Sequence, residues 1–403
     1  MKINRQTGWV LLFSIAYMVS YITRINYGAV IAEMEQSTAM SRSLLSMAVT
    51  GSFITYGLGQ IISGVLGDHF SPKKLLSCGF IITITMNVLI PLCGNPYQML
   101  AVWCVNGFAQ SLMWPPMVRM MTVVFSEEEY NRAVVKVSWG SSFGTIVVYL
   151  VAPLLIALSG WRSVFFFSAA CGAVMLILWQ IFAKDTATVK KAATAPQQKS
   201  SAKMLLTPLM IGVMVSIVLQ GILRDGVTTW MPSYISETYS LSSSIAILTG
   251  VVLPIFSILC FQAASVLYRR FFQNPLLCAG VIFVAGTVAA LGLYFFSGNS
   301  AIVSVLLSAL LTGCMHGVNL ILICMVPPFF KKFGNVSTVS GVINSCTYVG
   351  SAISTYGIAV LSENYGWQFT LFIWVLIAAA GALLCLINVK PWKAKMGVAP
   401  QSK

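Results

Sequence analysis

Long apolar stretches, separated by short polar ones, run along almost the whole chain. Twelve of them approach or exceed the length of about 20 residues that a helix needs to cross a bilayer. They lie at residues 9–31, 43–66, 75–93, 98–123, 133–158, 163–183, 208–235, 245–268, 275–297, 300–326, 337–361 and 367–389. The pattern predicts an all-α membrane protein with twelve transmembrane helices.

The longest polar stretch divides these spans into six and six. Residues Lys184–Lys203 are rich in alanine, glutamine, serine and lysine, a composition typical of a disordered linker. We therefore expect an N-terminal six-helix bundle at residues 1–183, a cytoplasmic linker at 184–207, and a C-terminal six-helix bundle with a short tail at 208–403.

The two halves repeat several features in the same order. The repeated pairs are Arg24 with Arg224, Trp114-Pro115-Pro116 with Val326-Pro327-Pro328, and Gly160-Trp161 with Gly366-Trp367. The two arginines are 200 residues apart, close to half of the 403-residue chain. A repeat in parallel orientation predicts two bundles related by a pseudo-two-fold axis along the membrane normal, with the ligand site at mid-membrane between them.

Composition and charge agree with a membrane protein. The chain is 58% hydrophobic and 8% charged, whereas a soluble domain has about 25% charged residues. The net charge of +14 raises the question of a nucleic-acid partner. However, Arg42 and Arg162 are the only basic residues in the predicted outer loops, so the positive-inside rule accounts for the charge. We expect cytoplasmic termini, contact with membrane lipid and no nucleic-acid partner.

Other classes of protein find no support in the sequence. The first apolar run is too long for a cleavable signal peptide and contains Arg24, so we expect none. The ten cysteines have neither metal-binding nor disulfide-framework spacing. We also find no nucleophile constellation and no glycine loop that would cradle a phosphate. An enzyme, a metal site and a cofactor are therefore not expected.

Arg24 is the most unusual residue of the first span. An arginine at the centre of a transmembrane helix costs about 2.5 to 3.5 kcal/mol on insertion scales, so it usually faces a bundle interior or an aqueous cavity. Tyr17 and Tyr21 lie seven and three residues before Arg24, which places all three on one helix face. Snorkelling to the interface is the alternative, but Arg224 at a matching depth makes two such cases hard to explain.

The loop after the second span has a recognisable pattern. Residues Gly64–Lys74, GVLGDHFSPKK, contain a glycine, an aspartate and then basic residues. This stretch resembles the loop signature of the major facilitator superfamily. The resemblance implies that Asp68, Lys73 and Lys74 form a conformational latch, while an ordinary basic turn is the alternative.

Three further stretches narrow the resemblance. They are YITRINY around Arg24, NGFAQSLMWPPMVRMM from Asn106 to Met121, and LRDGVTTWMPSY from Leu223 to Tyr234. Together they resemble the organophosphate:phosphate antiporters, a family that includes glycerol-3-phosphate and hexose-6-phosphate transporters. The resemblance implies exchange of an organic phosphate for inorganic phosphate by alternating access, with Arg24 and Arg224 clamping the phosphate. Guanidinium groups suit that task because they bind phosphate oxygens bidentately and stay charged.

The chain departs from the family pattern at two cationic positions. Gln60 stands where the family commonly has a lysine, four residues after Tyr56, and Ser141 stands where a histidine is common. The predicted cavity is therefore less positive, so either the substrate carries less charge than a sugar phosphate or its other part is recognised differently. The expected binding residues, besides the two arginines, are Tyr17, Tyr21, Tyr56, Gln60, Trp114, Ser141, His316 and Tyr348.

Two other functions stay open. A proton-driven symporter for an organic anion such as a sugar acid would use Asp225 as the coupling acid. A receptor for a sugar phosphate is the third function, since one branch of the resembling family acts as a sensor. For the phosphate exchanger and for both alternatives, we expect a multi-pass protein of the inner cell membrane that works as a monomer.

Overall fold

The computed structural model describes residues 5–38, 40, 42–184, 205–240 and 252–396. Throughout this part of the chain the regular structure is helical, with no strand. The chain folds as two compact units. Unit 1 comprises residues 1–199 and 330–342, and unit 2 comprises residues 200–329 and 343–403. The predicted fold class, an all-α membrane protein, is confirmed.

The described residues of the first unit that precede the linker form seven α-helices. They are α1 (Arg5–Ser37), α2 (Arg42–His69), α3 (Pro72–Leu89), α4 (Pro96–Ser111), α5 (Trp114–Val124), α6 (Glu127–Ser159) and α7 (Arg162–Phe182). Their starts follow from local sequence. Asn95 accepts a hydrogen bond from the Gln98 N–H ahead of Pro96, and Ser126 forms a capping box with Glu129. The starts of α4 and α6 are therefore encoded locally.

The helices after the predicted linker belong to unit 2, except that residues 336–342 of α12 belong to unit 1. They are α8 (Pro208–Tyr239), α9 (Val252–Arg270), α10 (Pro275–Phe296), α11 (Ala301–Asn319), α12 (Val336–Ile387) and α13 (Val389–Met396). A π-helical turn, Leu320–Cys324, and a 3₁₀ segment, Pro327–Phe333, lie between α11 and α12. The linker residues 185–204, and residues 241–251, which include the start of the predicted span 245–268, lie outside the described residues.

Ten helices of the described residues are long and apolar enough to cross a membrane. The predicted span 98–123 is instead two helices, because the helix is interrupted at Leu112 and Met113 just before Pro115 and Pro116, which lack the N–H groups of a continuous helix. The last two predicted spans run on as one element, α12, whose helical geometry is interrupted at Gly366 (φ 76°, ψ 172°).

Glycines let certain helices approach to backbone contact. A Cβ added to Gly144 of α6 would lie 2.6 Å from the Met18 carbonyl oxygen of α1. In the second unit, a Cβ added to Gly350 of α12 would collide with the Val218 carbonyl oxygen of α8. Small residues at such crossings are how membrane helices pack without a hydrophobic driving force between them. In each unit the arginine-bearing helix thus meets a neighbour at a glycine.

Candidate functional site

Arg24 lies among aromatic side chains in unit 1. Its guanidinium carbon is 4.2 Å from the ring centroid of Tyr21 and 4.7 Å from that of Tyr56 on α2. A cation over an aromatic face within about 6 Å is attracted by the ring quadrupole, and more strongly when water is excluded. Tyr56 is only 4% exposed. The two rings therefore orient the guanidinium.

The aromatic group extends to Tyr17 and Trp114. The Tyr17 ring is 5.1 Å from that of Tyr21 in an edge-to-face arrangement, and 4.6 Å from that of Trp114 at the start of α5. The structure thus brings four of the predicted binding residues, Tyr17, Tyr21, Tyr56 and Trp114, into one cluster with Arg24. Phenol hydroxyls and an indole N–H on such a cluster can donate hydrogen bonds to a bound anion.

A network of buried polar side chains braces α1 beside this cluster. The amides of Asn87 and Asn106 both donate to the Thr23 carbonyl oxygen, at 3.1 and 3.2 Å, and Gln110 donates to the Thr23 hydroxyl at 2.9 Å. Asn26 donates to Asn87 Oδ1 at 2.7 Å and to the Ser168 hydroxyl at 2.9 Å. Buried networks of this kind specify one arrangement of the helices. They hold the backbone on both sides of Arg24.

Two other predicted binding residues of unit 1 occupy different surroundings. Gln60 is fully buried on α2, and a Cβ added to Gly341 would collide with the Gln60 carbonyl oxygen. The Ser141 hydroxyl donates to the Ser138 carbonyl oxygen within α6, at 2.7 Å. Gln60 therefore lies at a close helix crossing, and Ser141 bonds within its own helix.

In unit 2, Arg224 pairs with the residue that follows it. Arg224 Nε donates to Asp225 Oδ1 at 2.6 Å, and Nη2 donates to Oδ2 at 2.8 Å, which makes the pair bidentate. The Ser351 hydroxyl of α12 also donates to Asp225 Oδ2. The side chains of Arg224 and Asp225 are 15% and 32% exposed. Neither side chain of the pair is therefore completely enclosed by protein.

His316 and Tyr348 lie in the same unit. The His316 ring is 5.5 Å from that of Phe261 in an edge-to-face arrangement, and His316 is close enough to Arg224 and Asp225 to interact with their charges. Tyr348 is half-buried on α12, three residues before Ser351 and hence on the same helix face. The structure thus groups His316 with Arg224 and Asp225, and places Tyr348 on the helix that supplies Ser351.

Asp68 caps the first turn of α12, which belongs to unit 1. Its two carboxylate oxygens accept the backbone N–H groups of Ser337 at 3.0 Å and Thr338 at 2.7 Å, in the first turn of α12. Those N–H groups have no partner within their helix, and the positive end of the helix dipole favours an anion there. Arg119 lies beside the carboxylate, with its Nε 4.0 Å from Asp68 Oδ1, and donates to the Phe70 carbonyl oxygen at 3.2 Å.

The two lysines of the predicted latch lie apart from this cap. Lys73 Nζ donates to the Gln180 carbonyl oxygen of α7 at 3.1 Å, and Lys74 is exposed. Both line a surface cleft between α3 and α7 with Ser77, Cys78, Ile81 and Gln180. Asp68 and the lysines thus contact different partners, and Arg119 takes the place beside Asp68.

Sequence reasoning missed Ser351 and the asparagines that brace α1. A serine or asparagine within an apolar span is common, and nothing in one sequence shows which such residues meet across helices. The available signal was weak: Asn26, Asn87 and Asn106 are amides inside predicted spans, where an unpaired polar group is costly.

Comparisons with known proteins agree with the fold. The membrane sensor protein UhpC of Salmonella typhimurium is 23% identical over 397 residues, covering 92% of this chain and 89% of that protein. The glycerol-3-phosphate transporter of Bacillus subtilis is 24% identical over 392 residues, covering 88% and 85%. The predicted resemblance to organophosphate transporters is thereby confirmed.

Solved structures extend the comparison. A structure of the E. coli fucose:proton symporter FucP matches with a TM-score of 0.77 over 96% of this chain and 99% of that chain, at 13% identity. The family model of the Major Facilitator Superfamily matches residues 13–355. Members of this family are transporters, not enzymes, and they cross the membrane many times. By this match over most of its length, the chain belongs to the Major Facilitator Superfamily.

Proposed function

We propose that this protein is a secondary transporter that exchanges an organic phosphate, of the sugar phosphate or glycerol phosphate type, for inorganic phosphate by alternating access. The observation that carries the proposal is the position of Arg24, whose guanidinium lies against the rings of Tyr21 and Tyr56 on membrane-spanning helices. Arg224 provides a second guanidinium in the other unit. Two such groups suit an oxyanion, because each binds its oxygens bidentately.

The relatives support phosphate as the recognised group. Their names include a glycerol-3-phosphate transporter and probable hexose phosphate transport proteins. In this proposal Tyr17, Tyr21, Tyr56 and Trp114 bind substrate beside Arg24, while His316 and Tyr348 bind it beside Arg224. Gln60 and Ser141 stand where the resembling family commonly has cationic residues, and they leave those two positions uncharged. Asp68, Lys73 and Lys74 act as the latch.

The proposal includes exchange rather than proton coupling. Asp225 is the acid inside a span that could carry a proton, and it is bound by Arg224 and Ser351. A carboxylate that accepts hydrogen bonds from a guanidinium is favoured in its charged form. That arrangement supports a structural or binding role for Asp225. We further propose a monomer in the inner membrane with both termini in the cytoplasm.

The test is transport by the purified protein in proteoliposomes. Vesicles preloaded with inorganic phosphate should take up labelled phosphate with or without a proton gradient, and empty vesicles should not. Arg24→Lys and Arg224→Lys should abolish the exchange, because an ammonium group cannot make the bidentate contact. Arg162→Lys is the matched control, since Arg162 begins α7 and its guanidinium lies 4.5 Å from the Trp161 ring. Gradient-driven uptake of a sugar acid without phosphate exchange would overturn the proposal and favour the symporter with Asp225 as its coupling acid.

A second candidate function is a sensor for a sugar phosphate. It is favoured by the similarity to the membrane sensor protein UhpC over 92% of this chain. A sensor would bind the sugar phosphate without moving it across the membrane. Saturable binding of glucose 6-phosphate in detergent, combined with no exchange in vesicles, would select this function over the transporter.

A further inference from the structure

Asp225 occupies the edge of Arg224 that an oxyanion substrate would use. A guanidinium group binds a carboxylate or a phosphate most strongly through two parallel N–H donors. On Arg224, the Nε and Nη2 donors both point at the Asp225 oxygens, at 2.6 and 2.8 Å. A substrate that binds the same edge must therefore displace the carboxylate.

Asp225 is also held from its other side. Ser351 of α12 donates its hydroxyl to Asp225 Oδ2, the same oxygen that accepts from Nη2. Ser351 follows Gly350 in the sequence. At Gly350 the backbone of α12 lies against the backbone of α8 near Val218. The serine is therefore fixed by a helix crossing. Its bond favours the rotamer of Asp225 that faces Arg224.

The pair of Arg224 and Asp225 has no net charge. An anion that approaches Arg224 is repelled by the Asp225 carboxylate, and the repulsion is twice as large for a dianion as for a monoanion at the same distance. A phosphate monoester is largely a dianion at neutral pH, because its second pKa is about 6. A phosphodiester carries a single charge. The attraction to Arg224 also grows with the charge of the anion, so the comparison is with an arginine that has no acid beside it. Relative to such an arginine, the pair should weaken binding of the dianion more than binding of the monoanion.

We propose that Asp225, positioned by Ser351, is a specificity-determining residue that competes with the substrate for Arg224 and favours the monoanionic over the dianionic state of the bound phosphate group. This inference rests on the proposed function, since it assigns the charge class of the substrate of the same site. It also accounts for the two neutral residues, Gln60 and Ser141, at positions where the resembling family commonly has cations.

The test compares dimethyl phosphate, a monoanion, with methyl phosphate, a dianion at pH 8, as inhibitors of phosphate exchange. Asp225→Asn keeps the size of the side chain but removes its charge. We expect this variant to shift the ratio of the two inhibition constants toward methyl phosphate by about fivefold, the scale of one partly exposed ion pair. Ser351→Ala should shift it in the same direction by less.

Glu237→Gln is the matched control. Glu237 is an acid of the same helix, but it accepts a hydrogen bond from Trp367 Nε1 at 2.7 Å instead of pairing with Arg224. Its removal should leave the ratio unchanged. An unchanged ratio in Asp225→Asn, or a shift toward dimethyl phosphate, would overturn the inference. If a variant does not transport, the same ratio is measured from thermal stabilisation of the purified protein by the two probes.

A second measurement separates this inference from the proposed function. Phenylglyoxal modifies accessible guanidinium groups, and mass spectrometry of the peptide that contains Arg224 reports the rate without any substrate. If Asp225 occupies the Nε and Nη2 edge, Asp225→Asn should raise the modification rate of Arg224 severalfold and leave that of Arg162 unchanged. Equal rates would refute the competition. A raised rate in a protein that binds neither phosphate probe would support the competition while the phosphate function fails.

Discussion

Arg24 and Arg224 hold corresponding positions in the two halves of the sequence, yet their surroundings differ in kind. Arg24 is followed by Ile25 and lies against the rings of Tyr21 and Tyr56. Arg224 is followed by Asp225 and forms a bidentate pair with it. Aromatic rings orient a cation and leave its charge in place, whereas a carboxylate neutralises it. The two corresponding arginines therefore have different electrostatic roles.

The backbone around the two arginines differs much less. In unit 1 the Gly144 position faces the Met18 carbonyl oxygen, and in unit 2 the Gly350 position faces that of Val218. Met18 and Val218 each lie six residues before the arginine of their helix. The helix crossing has therefore kept its register while the side chains beside the arginine have changed. Packing and charge can be tested separately.

The largest effect should come from the shared crossing. Gly144→Val and Gly350→Val each place a side chain against a backbone carbonyl that cannot move aside, and overpacking of this kind costs about 1 to 3 kcal/mol or more. We expect little folded, monodisperse protein from either variant by size-exclusion chromatography. Gly28→Val and Gly357→Val are matched controls, because a Cβ at either site meets no atom of the described residues within 4 Å. Normal yields from both valine variants would contradict the close crossings.

The next effect should separate the two arginines. Arg24→Gln and Arg224→Gln should each lower phosphate exchange by about 100-fold or more, since each removes a pair of charge-assisted hydrogen bonds. Only Arg224→Gln should also lower the yield of folded protein, because it leaves the Asp225 carboxylate without its cation inside a membrane span. Adding Asp225→Asn to Arg224→Gln should restore the yield but not the exchange. Equal yields from the two single variants would contradict the claim that the acid beside Arg224 makes its surroundings differ from those of Arg24.

A smaller effect should report the aromatic surroundings of Arg24. Tyr56→Leu removes a ring that lies 4.7 Å from the guanidinium carbon, and should raise the KM for phosphate by about fivefold. Tyr56→Phe keeps the ring and should retain most of the affinity. Tyr149→Leu, at a tyrosine that is 61% exposed, is the control. An equal increase of KM in the leucine and phenylalanine variants would assign the effect to the hydroxyl group instead.

The smallest effect should appear in stability. Thr23 accepts a hydrogen bond from Gln110, whereas the corresponding residue of the other half is the buried Leu223. Thr23→Val removes that bond, and the hydroxyl's own bond to the Val19 carbonyl oxygen, at constant shape. It should cost about 1 kcal/mol, seen as a lower melting temperature with little change in KM. A double variant with Gln110→Leu should recover part of the loss, because both polar partners are then absent. An unchanged melting temperature in Thr23→Val would show that this bond adds nothing to stability.

Helices could be predicted from the sequence because an apolar run of sufficient length has few other structures available in a membrane. The paired arginines could also be predicted, because a charge inside such a run is unusual at any position. The interruption at Leu112 and Met113 could have been inferred from the Pro115-Pro116 pair, but the apolar pattern continues through it and predicts a single span. The two prolines favour a break in the helix at this point, whereas the apolar pattern favours a continuous helix.

The contacts of polar residues could not be predicted in this way. Ser351 and Asp225 are 126 residues apart, and serine is as common at helix crossings as at binding sites. In the same way, the family resemblance assigns Asp68 to a latch, but its bonds to the N–H groups of Ser337 and Thr338 depend on where another helix begins. Such pairings are properties of the folded units, and a single sequence carries no distance information.

The polar network around Asn26 has a consequence for biogenesis. Helices enter the bilayer from the ribosome in chain order, so α1 arrives with its amide while Asn87 on α3 and Ser168 on α7 are still untranslated. Until they arrive, the Asn26 amide lacks these partners, and an unbonded amide is costly in lipid. We therefore predict that the insertion machinery holds α1 until α7 has been synthesised. Nascent chains truncated before Ser168 should be retained by the translocon or degraded, which ribosome-stalled intermediates would reveal.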